Sequence, residues 1–169
     1  MTQFDIAFVG LSIGVHKFQY EVGREFFENF ANSPLSDGHF MVELDLEKKS
    51  NMMLLDFHIK GRIDVSCDRC LSNVQLDLEE EQELIVKFGE VTTEAIDNIM
   101  TLSAGEFRFN VAQSIYEYVN LMIPAKTVCE DAGMECDKEL IDKLNVLSGQ
   151  KDHNEIDPRW EELKKVKTK

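Results

Sequence analysis

No apolar run in this 169-residue chain approaches the roughly 20 residues that a helix needs to cross a bilayer. The start, Met1-Thr2-Gln3-Phe4-Asp5, lacks the basic stretch and apolar core of a secretion signal, so a soluble cytoplasmic protein is the expectation. Prolines number three and tryptophans one, with no repeat and no low-complexity stretch. No glycine-rich phosphate loop, nucleophile elbow or H-E-x-x-H pair is present. The carboxylates Asp77, Glu79, Glu80, Glu81 and Glu83 are close in sequence, but strand alternation spreads them rather than converging them. No active site is read from these residues, and no small-molecule substrate is expected.

Basic charge is also short: 18 Lys and Arg stand against 32 Asp and Glu, for a net charge of −14. Residues 151–169 hold six basic and five acidic side chains, leaving 12 against 27 in the rest. Nucleic-acid affinity rests on neutralising phosphates, so this acidic body is a poor general RNA binder. It suits a basic protein partner, or the charge serves solubility alone.

What is present is alternation. His16 to Val22 reads as a half-buried strand, and Phe4, Ile6 and Phe8 repeat the pattern before it. Arg24 to Ala31 predicts a short helix burying Phe26, Phe27 and Phe30, followed by a loop rich in Asn, Ser, Pro, Asp and Gly. Phe40, Val42, Leu44 and Leu46 alternate with acids. After a turn at Lys48–Asn51, Met53, Leu55, Phe57, Ile59, Ile63 and Val65 lead to Cys67. Gly61 interrupts that apolar face and predicts a bulge or bend. Val74, Leu76 and Leu78, then Leu84, Val86 and Phe88, make the return strand. Such runs with short turns predict an antiparallel meander with one polar face. On that face His58, Lys60 and Arg62 read as solvated residues paired across strands with Glu43, Asp45 or Asp77 rather than as a phosphate patch.

The last third changes period. Val111, Ile115, Tyr118, Val119 and Met122 share a helical face, with Asn110 as N-cap, Gln113 at the third position and Pro124 as the stop. Asp137 caps a second helix carrying Leu140, Ile141 and Leu144. The class is α+β: an antiparallel β-meander sheet followed by C-terminal helices packed on one face. Residues 1–148 read as one domain, and 149–169 as a polar linker plus a short basic helix that starts at Asp157-Pro158 and is anchored by Trp160.

Cys67-Asp68-Arg69-Cys70-Leu71 is a C-x-x-C turn between two alternating runs, the shape of half a zinc knuckle. The only other cysteines, Cys129 and Cys136, have six residues between them, a looser spacing than usual. One zinc held by Cys67, Cys70, Cys129 and Cys136 is one reading and four ordinary thiols the other. Glu130, Asp131 and Glu135 add negative charge that weighs against the metal. A thiol-disulfide enzyme is disfavoured, because the motif lacks a helix N-terminus to lower a thiol pKa. His16, His39 and His153 have no spaced partners and read as ordinary surface or core histidines.

Gly61, C-D-R-C-L at 67–71, Leu121-Met122-Ile123-Pro124 and Asp157-Pro158-Arg159-Trp160 with Leu163-Lys164-Lys165 together resemble the YceD family, the large ribosomal RNA subunit accumulation proteins. The early Gly14-Val15-His16 and Phe18-Gln19-Tyr20 resemble it too. The resemblance implies a non-enzymatic bacterial factor supporting 23S rRNA synthesis, processing or stability during large-subunit assembly. It also implies metal binding, with Cys67 and Cys70 matching the family's cysteine pair, whereas cysteine-rich members carry closely spaced C-x-x-C pairs after the Leu-Pro segment. The expected partner is a basic ribosomal protein or RNA-processing factor, with Arg159, Trp160, Lys164 and Lys165 as tail contacts and a weak rRNA contact through the tail. The competing expectation is a zinc-stabilised interaction adaptor unrelated to ribosomes.

Overall fold

A computed structural model describes residues 2–148 except Asn32, Pro34, Ser36, Asp37 and Ala104, and only the backbone of 94–96. The basic tail and most of the loop after the first helix thus lie outside the described residues. Strands β2 (Gly14–Val22), β3 (Gly38–Lys48), β4 (Met52–Ser66) and β5 (Asn73–Gly89) form the meander that the alternation predicts. The period of two fixes the register, because a slip of one residue would turn every apolar side chain outward. Val42, Leu44 and Leu46 lie directly opposite Ile59, Phe57 and Leu55, and all six are buried.

Helices α1 (Arg24–Phe27) and α2 (Ala112–Leu121) contribute to the same core. Tyr118 of α2 meets Phe57 of β4 edge-on, with ring centroids 5.2 Å apart. Asn110 contributes to the helix start as expected, its Oδ1 accepting the Ala112 N–H at 2.9 Å. Gln113 donates to Glu117 at 2.7 Å.

Three expectations change. Phe4, Ile6 and Phe8 are all buried, yet only Asp5–Ile6 is a strand (β1), between single 3-10 turns. Its partner β8 (Phe109–Asn110) is two residues long, so pairing ends there. Lys48 Nζ then holds the second turn by donating to the Phe8 and Leu11 carbonyls, each at 2.8 Å. Second, Gly61 makes no bulge: its pairing with Phe40 and Leu78 is in unbroken register. The space a side chain would need is filled by the Phe40 ring and the His39 carbonyl oxygen. Third, β6 (Thr93–Ile96) and β7 (Ile99–Ser103) extend the sheet to six strands, with β7 parallel to β5. Asp97 and Asn98, at φ 50° and 61°, form the two-residue turn between them, the conformation such hairpins need.

On the outer face, Lys17, His58, Lys60 and Arg62 sit directly opposite Asp45, Glu81, Glu79 and Asp77, at 2.9, 3.1, 2.7 and 2.6 Å. The basic stripe is thus a paired, solvated face, as expected, and such exposed pairs contribute about 0–1 kcal/mol each. Asp56 is different: its cross-strand neighbours are Asp45 on one side and Glu83 on the other. Like charges directly opposite are destabilising, so Asp56→Lys should raise stability by about 0.5–1 kcal/mol. Urea unfolding checks this, and a lower midpoint would count against it.

Candidate metal centre

The centre is assembled at the far tip of the β4–β5 hairpin. There Cys67 N–H donates to the Ser72 carbonyl at 2.8 Å and Leu71 N–H to the Cys67 carbonyl at 2.9 Å. Leu71 takes φ 60°, which closes the turn and directs its own side chain to solvent. The second pair comes from the segment after α2. Asp131 Oδ2 accepts the Val128 N–H at 2.8 Å and starts a single 3-10 turn, Cys129–Ala132. Gly133 ends that turn at φ 67°, and Met134 N–H returns to the Cys129 carbonyl at 2.8 Å. Cys136 follows, just ahead of α3 (Lys138–Leu147), whose cap is Asp137 as expected.

Asp68 joins the halves. Its N–H donates to the Thr127 carbonyl at 2.8 Å, and its Oδ2 accepts the Thr127 N–H at 2.7 Å. Arg69 adds an ion pair to Glu130 at 2.8 Å. Asp68 and Thr127 were not singled out from the sequence. An aspartate inside the C-x-x-C turn was the available signal, since its short carboxylate favours bonds to nearby backbone. Asp68→Ala should cost about 1–2 kcal/mol and loosen the two cysteine segments from each other. Thermal unfolding would read the loss, and an unchanged midpoint would remove Asp68 from this role.

All four Sγ atoms lie within 4.8 Å of one another, with Cys67–Cys136 at 3.8 Å and Cys70–Cys129 at 3.5 Å. Zinc–thiolate bonds of about 2.3 Å at tetrahedral angles place sulfurs about 3.8 Å apart, so this donor set fits one zinc with small side-chain shifts. Cys67, Cys70 and Cys129 are buried and Cys136 is partly buried. The acids expected to weigh against a metal are engaged elsewhere: Glu130 with Arg69, Asp131 as the cap, and Glu135 with Lys138 at 3.0 Å. His16 and His39 make surface contacts to the Ser12 carbonyl and Glu21.

The four thiols are not equivalent. Burial opposes ionisation of Cys67, but the backbone N–H groups of Cys70, Arg69 and Cys129 outweigh it and hold the thiol below its ordinary value. The Ser72 hydroxyl, then the Asp137 and Ser72 amides, bring Cys70 down to about 6. Burial pushes Cys129 and Cys136 up. Metal uptake here would release protons from the thiols that are still protonated, Cys129 and Cys136 among them.

Helix α3 departs from expectation at Leu144, which is 45% exposed; the helix has no fully buried residue, only Leu140 and Ile141 partly so. Among the described residues no helix is long and apolar enough to cross a membrane. The family model described as Large ribosomal RNA subunit accumulation protein YceD matches residues 55–167, a span containing all four cysteines. No curated protein and no solved structure matches the chain.

Proposed function

The chain belongs to the YceD family of large ribosomal RNA subunit accumulation proteins, and on that premise we propose that it is a non-enzymatic accessory factor supporting 23S rRNA synthesis, processing or stability during large-subunit assembly. Its acidic sheet face engages a basic ribosomal protein or RNA-processing factor. Arg159, Trp160, Lys164 and Lys165 add contacts to that partner or to rRNA. The cysteines, joined through zinc, close the tip of the hairpin whose base carries much of the face.

The observation that supports this most is the excess of carboxylate on β3–β5. Lys17, His58, Lys60 and Arg62 are already paired with cross-strand carboxylates, while Glu43, Asp56 and Glu83 carry no ion pair among the described residues. A face with surplus negative charge steers a basic partner and repels bare RNA.

Affinity capture at moderate salt should recover a basic large-subunit protein or a 23S precursor. Reversing Glu43, Asp56 and Glu83 together to lysine should weaken that capture about tenfold or more, since screened charge pairs act jointly on association. A deletion strain should hold less 23S relative to 16S rRNA. Capture of neither species, with equal rRNA levels, would sink the proposal in favour of an adaptor unrelated to ribosomes.

A further inference from the structure

A groove of about 800 Å³ runs beside the cysteine centre, between the hairpin tip and α3. Its lining includes the apolar Met134, Ile141 and Leu144, the carboxylate of Asp142, and the ion pairs Arg69–Glu130 and Lys138–Glu135. Met134 and Leu144 are each 45% exposed, an unusual place for two large apolar side chains side by side. Asp142 has no ion pair among the described residues.

The same chain carries a segment of complementary chemistry. Trp160 and Leu163 are spaced three apart, Lys164 and Lys167 follow at helical spacing, and the stretch from Arg159 to the end has five basic and two acidic residues. Trp160 is twelve residues beyond Ser148, where the description of α3 ends. A coil of that length spans about 19 Å, whereas the helical rise from Ser148 back to Ile141 is only about 10 Å. A tether that short keeps its effective concentration near millimolar, so even a weak contact is populated. The family match also runs on to residue 167, placing this segment within the same matched unit as the groove.

From this we infer that Trp160–Lys167 docks in cis into the groove, with Trp160 and Leu163 against Met134, Ile141 and Leu144, and Lys164 and Lys167 toward Asp142. Docking covers the open side of Cys136, the one partly exposed cysteine. A partner that takes up Trp160 must first displace it from the groove. The inference stands independently of what that partner is.

Trp160 is the only tryptophan, so intrinsic fluorescence of the full chain reports on it alone. Its emission should be blue-shifted and independent of protein concentration. Leu144→Asp should shift it to the red and raise acrylamide quenching about threefold, the change expected when an indole leaves an apolar pocket for water. Val146→Asp, at a position 81% exposed and outside the groove, should change neither. Met134→Asp provides a second test should circular dichroism show Leu144→Asp unfolded. Wild-type emission typical of free indole, shielding that appears only at high concentration, or equal spectra for the groove variants and Val146→Asp would each overturn the inference.

Discussion

Protein purified without chelator is expected to carry about one zinc per chain, as a closed four-thiolate site requires. Cys67→Ser and Cys136→Ser, taken one from each half, should each abolish it. The reasoning is geometric. Two backbone segments separated by 58 residues in the chain bring four sulfurs within 4.8 Å of one another, with no disulfide between them. Bare thiols gain little from such crowding, and the two that burial holds protonated gain least. A bound cation turns the same crowding into attraction. Holding free zinc at about a thousand times its dissociation constant stabilises the folded state by about 4 kcal/mol. At about 2–4 °C per kcal/mol for a chain of this size, chelation should lower the unfolding midpoint by about 8–16 °C. Loss of metal in only one of the two serine variants would separate the pairs into different roles. Absence of metal from the wild type would leave four ordinary thiols.

Gly61→Val is expected to be the most damaging single change within the sheet, costing about 3 kcal/mol or more by overpacking. The cause is local. Any Cβ at this position runs into the Phe40 ring and the His39 carbonyl, and the second of these belongs to the paired backbone of β3. A flexible side chain could swing away, but a sheet carbonyl cannot without breaking the ladder. Gly61→Ala should cost less than valine and still more than a surface substitution. The pair Gly61→Ala with Phe40→Leu should recover part of the loss. Denaturant titration of the three variants decides it: an alanine variant as stable as wild type would mean the strands separate easily there. Gly10, with open space around the same hypothetical atom, is the matched control.

Most of the sheet was legible because its alternation is strict and one face is fully buried. Phe40 to Leu46 and Met53 to Ile63 could face inward only one way. The N-terminal segment was less so. Burial of Phe4, Ile6 and Phe8 looks the same whether a chain is extended or turned, and the two-residue partner β8 lies over a hundred positions away. Strands β6 and β7 escaped because they are only four and five residues long and do not alternate cleanly, although the Asp97-Asn98 turn was in plain view. The cysteine set was readable as a candidate; its convergence was not, because it depends on Asp68 reaching Thr127 across the fold. Leu144 illustrates the opposite case. Helical spacing groups it with Leu140 and Ile141, yet those two pack partly against the core while Leu144 is 45% exposed.

The length of the β4–β5 hairpin has a dynamic consequence. Pairing with β3 ends at Ile63, but β4 and β5 continue together to Ser66 and Asn73. Among the described residues no third strand flanks that overhang. An isolated two-stranded ribbon is marginal in water, so its ordering depends on the segment carrying Thr127 and Cys129. The tip is thus expected to open as a separate unit, its amide exchange rate tracking the state of the thiols while the sheet below it exchanges at the global rate. Loss of the sulfur staple should then fray about a dozen residues at the tip and leave the acidic face on the paired sheet folded.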